Sequence, residues 1–178
     1  LVHSIEELKM LVTASAEVGV VETEEGEMLH AVFDFGELLV RQVMIPRTEI
    51  SAFEAEMNLR EAIDIAINSS FTKFPVYDDD LDNIIGVVHI KDLLRAEQDP
   101  ECQKCVVRKL IREALFIPET VPVKAVLREF RNRHQHIAIV MDEFSGTAGL
   151  VTLEDLMEEI VGEVSDPFDA GMPEIHLL

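Results

Sequence analysis

The phrase Gly86-Val-Val-His-Ile-Lys-Asp-Leu-Leu94 returns 63 residues later as Gly149-Leu-Val-Thr-Leu-Glu-Asp-Leu-Met157. A chain that repeats itself at this spacing is constrained to fold as two copies of one unit. In both copies an apolar run with strand character ends in a polar residue, and an Asp follows three positions on, in the first turn of an amphipathic helix. Unpaired backbone N–H groups and the helix dipole concentrate positive potential there, so such a strand-to-helix turn suits a polar ligand.

At the same offset Ala62 matches Ala125, Phe74-Pro-Val-Tyr77 matches Ile137-Ala-Ile-Val140, and Asp79 matches Asp142, with no gap required. The period exceeds the roughly 20–50 residues of common solenoids. Two small units, each unable to cover its own apolar face, are therefore expected to pack on each other. Helical periodicity runs over 58–67 and 121–130, strands over 74–77 and 137–141, and turns rich in Asp, Asn, Ser and Gly over 78–83 and 142–147. Second strands at 85–88 and 150–151 lead into the second helices, and short strands near 49–53 and 114–117 precede each unit. The expected class is α+β: two pseudo-symmetric helix-strand-strand-helix repeats at 41–98 and 106–165, after an acidic helical connector at 1–40 and before a tail at 166–178.

An apolar content of 48% over 178 residues permits a substantial core. Uncharged apolar runs fall well short of the ~20 residues of a membrane span, and no signal-peptide pattern opens the chain. A start at Leu1 suggests part of a longer protein, and two cysteines make no disulfide framework, which favours a reducing compartment. A formal charge of −20 argues against nucleic acid as a partner. Glu6, Glu7, Glu17, Glu22, Glu24, Glu25, Glu27, Asp34 and Glu37 are opposed only by Lys9 before Arg41. They read first as a solvated helical face, and secondly as a cation-responsive surface.

Cys102 and Cys105 have metal-ligand spacing but no second pair, so they are expected to be free surface thiols rather than half of a zinc site. His136 is expected to flank a core strand, and Asp78-Asp-Asp80 to form a hairpin turn, since the Gly and distant Glu of a calcium loop are missing. No nucleophile, base and orienting group stand in a recognisable motif, and both Gly-x-Ser-x-Gly and the Gly-rich Lys loop are absent. The chain is not expected to be an enzyme, and its metal ligands, if any, are left unassigned.

Val43-Met-Ile-Pro-Arg-Thr-Glu-Ile50, Phe74-Pro-Val-Tyr77 and Ala138-Ile-Val-Met-Asp-Glu-Phe-Ser-Gly-Thr-Ala-Gly-Leu-Val-Thr-Leu-Glu-Asp155 resemble the paired CBS (cystathionine β-synthase) domains of the CorC/HlyC family. The similarity runs from about Ser4 to Asp166. It implies a regulatory module on the cytoplasmic face of the membrane, attached to a membrane domain that handles magnesium or cobalt. It further implies an adenine nucleotide, ATP or AMP, in the cleft between repeats, with Asp155 on the ribose hydroxyls and Thr152 beside it. Ile45, Pro46, Phe74 and Pro75 would supply the apolar slot for adenine, and Arg47, Thr72 and Lys73 the phosphate donors.

One carboxylate accepting from both hydroxyls of a ribose diol makes charge-assisted bonds, roughly twice as strong as neutral ones. Thr-x-x-Asp before an apolar helix is equally a capping box, and the two roles are compatible because a carboxylate has several acceptor sites. His89 stands where the second repeat has Thr152, as a packing or capping residue; it narrows the first slot, beside Asp92, so one good nucleotide site is expected. The acidic balance predicts that magnesium accompanies ATP. A homodimer is expected from apolar positions Leu156, Met157, Ile160 and Val161. The alternative is a nucleotide-free structural dimerisation module of the same membrane protein.

Overall fold

The computed structural model describes residues 3–162. It contains seven α-helices and two small sheets among these residues. The connector is a hairpin of α1 (Ile5–Glu17) and α2 (Thr23–Phe35). Ser4 opens α1 with a reciprocal capping box to Glu7, which offsets two of the orphan N–H groups of the first turn. Gly26 of α2 lies over Ala16 and Val12 of α1, at a distance that would leave a Cβ in ordinary contact, and Lys9 bonds Asp34 at 2.6 Å.

A short α3 (Val40–Val43) and β1 (Ile45–Pro46) follow, then a 3-10 turn at Arg47–Glu49. The first repeat comprises β2 (Phe53–Glu54), α4 (Leu59–Ile67), β3 (Lys73–Tyr77), β4 (Ile84–His89) and α5 (Ile90–Gln98). The second comprises β5 (Leu115–Pro118), α6 (Val123–Arg133), β6 (Ile137–Met141), β7 (Thr147–Thr152) and α7 (Leu153–Val161). Each repeat pairs its first strand parallel and its last strand antiparallel to the middle one. The α+β class and the repeat are as the sequence indicates.

The repeat is not free of gaps. Phe74 faces Val88 and Ala138 faces Val151, so Phe74 corresponds to Ala138 and not to Ile137. The hairpin between β3 and β4 holds residues 78–83, whereas that between β6 and β7 holds only 142–146. One residue is thus lost in the second turn. Both hairpins keep a register shift at the same place, after Val76 and after Val140.

Each unit is completed by the segment that precedes the other. Leu38, Val40, Val43 and Met44 lie in the core of the second repeat with Phe130, Val140 and Leu156, and β1 pairs with β7 through Ile45 opposite Leu150 and Pro46 opposite Gly149. Conversely Val107 is fully buried in the first core beside Phe53, Leu59 and Leu93, and Arg112 exchanges both backbone bonds with Val87. Gly86 and Gly149 make these crossings possible. A Cβ on Gly86 would come within 2.6 Å of the Arg112 carbonyl, and one on Gly149 would strike the Ile45 carbonyl and the Met44 sulfur. The segment expected to open the first repeat is, in packing terms, part of the second. Between the repeats a third cluster joins Ile84, Val87, Ile137, Ile139 and Leu150, the face that neither unit can cover alone.

Candidate functional site: two strand-to-helix turns and the cleft between them

Thr152 is the N-cap of α7. Its hydroxyl accepts from the Asp155 N–H at 3.2 Å while Asp155 Oδ2 accepts from the Thr152 N–H at 2.8 Å. This capping box fixes the carboxylate at the helix start. Among the described residues Asp155 Oδ1 makes no hydrogen bond, which leaves an acceptor at the positive end of α7. β1 runs alongside, so Ile45, half-buried, and Pro46, exposed, flank the strand that leads into this turn.

The first repeat builds the same turn differently. His89 caps α5, its Nδ1 accepting from the Lys91 N–H at 3.0 Å. With Nδ1 so used, a neutral ring carries its proton on Nε2. Burial, with Lys73 adding to it, pushes the His89 imidazole below its ordinary pKa. Asp92 receives two bonds from Arg112, at 2.7 and 2.8 Å, and these hold its carboxyl below the usual range. A bidentate guanidinium fills the sites that a ribose diol would need.

The remaining expected positions are dispersed. Phe74 is fully buried and stacks on Phe53 with centroids 4.6 Å apart, and Pro75 is buried opposite Val87. Phe74 and Val76 on one face of β3 belong to the first core. Arg47 is bound to the Asp82 carboxylate and donates to the Thr147 carbonyl at 3.2 Å, at the far end of β7 from Thr152. With the Thr147 N–H and hydroxyl donating to Asp82 (3.0 Å) and to the Leu81 carbonyl (2.6 Å), it forms a polar clasp between the hairpins. The Thr72 carbonyl accepts from the Ile90 N–H at 2.9 Å. Lys73 faces His89 across β3 and β4.

Lys73 and His89, with Val88, Arg112, Gln135 and His136, border a cavity of about 210 Å³ between the repeats. The sequence did not single out Arg112 or Gln135, which come from the linker and from the end of α6. His136 directly precedes β6 and its carbonyl accepts from the Leu153 N–H. Cys102 and Cys105 are joined in a disulfide, not free as expected. The tight turn after α5, closed by the Cys102 N–H on the Asp99 carbonyl and the Cys105 N–H on the Cys102 carbonyl, brings their Cα atoms to 4.8 Å, within disulfide reach. The Asp78–Asn83 stretch forms a turn, with Asp79 left-handed. Among the described residues no cluster of His, Cys, Asp and Glu could hold a metal ion, and no helix is long and apolar enough to cross a membrane.

Two interlocked α+β repeats, each presenting a capped helix at the end of a hairpin, define the paired CBS architecture. The CBS domain family model matches residues 40–99 and 107–162, and the chain belongs to that family, as a tandem pair of the CorC/CNNM type. It is 39% identical to the magnesium and cobalt efflux protein CorC of Pasteurella multocida, over 92% of this chain and 54% of that protein. It is also 39% identical to the UPF0053 protein YugS of Bacillus subtilis, over 94% of this chain and 39% of that one. The chain thus spans between two fifths and just over half of these relatives. The CBS domain of a bacterial CNNM/CorC family Mg2+ transporter superposes with a TM-score of 0.84 at 39% identity, covering 93% of this chain and all of that one. A structure of such a domain in complex with ATP gives 0.74 at 41% identity, covering 79% and 99%.

Proposed function

We propose that this module binds an adenine nucleotide, ATP or AMP, at the Thr152–Asp155 turn and passes occupancy to an attached membrane domain for magnesium or cobalt transport. The observation that carries the reading is mechanical: α2, the last helix of the connector, packs against α7, the helix that Thr152 and Asp155 cap. A ligand on that turn acts at the end of the helix on which the connector rests. The related domains described with ATP and with bound AMP, the latter from Klebsiella pneumoniae at 27% identity, a TM-score of 0.60 and coverage of 70% and 99%, support the ligand class.

The site would use Asp155 Oδ1 for the ribose, and Ile45 and Pro46 for the base. By the equivalence of the repeats, which carries His136 to Thr72 and Ile137 to Lys73, a mate of the observed cavity would fall beside Thr152. Phosphate would lie there. Arg47 serves it only by leaving Asp82. The module is non-enzymatic in this reading and sits on the cytoplasmic face of the membrane.

The competing reading, a nucleotide-free dimerisation module, draws on the capping box, which accounts for Thr152 and Asp155 without a ligand. Calorimetric titration with ATP, AMP and adenosine separates the two. Saturable heat with ATP or AMP is expected, and its absence for all three ligands would leave the dimerisation reading.

A further inference from the structure

We propose that Cys102 and Cys105 form a thiol–disulfide exchange site, a reversible modification of the linker between the repeats that is driven by a small thiol and its disulfide. The two are joined in this structure, yet the function proposed above places the module on the cytoplasmic face. Thiol pools there keep most cysteines reduced, and the disulfides that do form are usually catalytic or sensing. Only the compartment is taken from that reading. The C-x-x-C spacing is that of redox motifs. A cross-link closing so few residues also removes less chain entropy from the unfolded state than a long one, so it makes a poor staple.

The fold has other means of seating the linker. Val107 is fully buried in the first core, its N–H donates to the Met57 carbonyl at 3.0 Å, and the Arg108 N–H donates to the Ala55 carbonyl at 2.9 Å. The turn ahead of them is held more lightly. Beyond its two internal backbone bonds, it touches α4 through the Cys105 carbonyl, which accepts from the N–H of Leu59, the first residue of that helix, at 3.3 Å. The sulfur bond therefore governs the turn after α5 and, through Cys105, the start of α4.

The surroundings assign roles to the two sulfurs. Both cysteines are half-buried. Cys102 packs on the first core and borders an open groove of about 390 Å³ with Arg95, Lys109, Arg112, Asp92 and Asp99. Arg95 and Arg112 share Asp92, while Lys109 has no ion pair among the described residues. Three cations thus face two carboxylates beside Cys102. Nearby cations stabilise a thiolate, and the more stable thiolate leaves faster. A thiolate of the glutathione class attacks Cys105 Sγ, forming a mixed disulfide there; the Cys102–Cys105 bond breaks and its electron pair leaves on Cys102 Sγ. A second thiolate attacks the small-molecule sulfur of the mixed disulfide and releases Cys105. Two small thiols thereby become one disulfide, and the protein pair gains their two electrons and two protons.

The test places the whole chain at pH 7 in mixtures of reduced and oxidised glutathione, without nucleotide, so that its outcome is independent of nucleotide binding. Iodoacetamide trapping and mass spectrometry read the sulfurs, circular dichroism the fold, and hydrogen exchange the amides. The pair is expected to pass from disulfide to dithiol as the proportion of reduced glutathione rises, with the dichroism unchanged. Partly reduced samples should carry glutathione on Cys105 and the alkyl group on Cys102. Reduction should speed exchange about tenfold or more at Leu59 and Cys105 and leave Val107 and Arg108 within about twofold, as local opening of the turn alone requires. Cys102→Ser combined with Cys105→Ser should show the fast Leu59 exchange at every ratio. A disulfide that persists at all ratios, thiols that persist in oxidised glutathione alone, loss of the fold on reduction, or unchanged exchange at Leu59 would overturn the proposal. Glutathione on Cys102 alone would overturn the roles assigned to the two sulfurs.

Discussion

At the scale of the residue, the two turns show how one motif is kept in one copy and closed in the other. Asp155 is half-buried and has one oxygen committed to its own cap, while Asp92 has both oxygens on Arg112. Asp155→Asn retains an oxygen for the Thr152 N–H and so spares the helix, but it removes the charge at Oδ1. Bonds to a charged group contribute about 1.5–3 kcal/mol, so calorimetry should show ATP affinity reduced about 10- to 150-fold. Asp92→Asn should leave that affinity within about twofold, because no ribose reaches a carboxylate held by a guanidinium. His89 gives a prediction in pH. Its folded pKa lies below the unfolded value of about 6.5, so the unfolded chain takes up the proton first. The contribution of His89 to stability is full above about pH 6.5 and is lost as pH falls below it and through the folded value. Urea unfolding between pH 7.5 and 5 should show this slope in the parent and a flatter one in His89→Gln. The cap itself was legible as Thr-x-x-Asp. The Arg112–Asp92 pair was not, because residues twenty apart meet only after the linker has laid itself along β4.

At the scale of the element, the crossings decide stability. Gly149 and Gly86 sit where β1 and the linker pass over β7 and β4, and a methyl group at either would press on backbone, which cannot turn aside. Overpacking of this kind costs typically 1–3 kcal/mol. Gly149→Ala and Gly86→Ala should each lower the urea midpoint by a corresponding amount, whereas Gly36→Ala, whose added Cβ would meet only the Phe33 carbonyl at 3.5 Å, should change it little. Helices α4 and α6 and the hairpin strands were readable from periodicity because each buries one face in a core of its own repeat. The exchange of leading segments was not, since Val40 and Val107 look like ordinary linker residues and their burial depends on the opposite unit. The one-residue gap was hidden for a related reason: Phe74 and Ile137 are both apolar, and only strand register separates Phe74 opposite Val88 from Ala138 opposite Val151. Phe74 and Pro75, expected in the adenine slot, are buried in the middle strand of the first repeat, Phe74 against Phe53.

At the scale of the whole molecule, the remaining questions concern association and charge. Leu156 is fully buried and Ile160 packs on the second core, so the outer face of α7 is narrower than the sequence pattern implies. Met157 and Val161 stay 37% and 51% exposed, and on α4 Ile67 is 59% exposed. An isologous two-fold contact is the usual solution for such faces, and sedimentation at micromolar concentration should show a dimer of the 20.0 kDa chain; a monomer alone would remove that reading. The charge of −20 bears on the ligand itself. A polyphosphate approaching this surface meets net repulsion, which screening weakens only beyond roughly 8 Å at physiological salt. Of the cations expected to offset it, Arg47 is tied to Asp82 and only Lys73 is without an ion pair among the described residues. A divalent ion bridging phosphate oxygens to water and to nearby carboxylates cancels part of that repulsion without needing a protein cage. ATP should therefore bind more tightly with magnesium present than after chelation, and adenosine, which carries no phosphate, should bind equally in both. Parallel calorimetry of the two ligands in magnesium and in a chelating buffer measures the difference. Equal ATP affinity in both buffers would falsify the magnesium link and leave a sensor of adenylate alone.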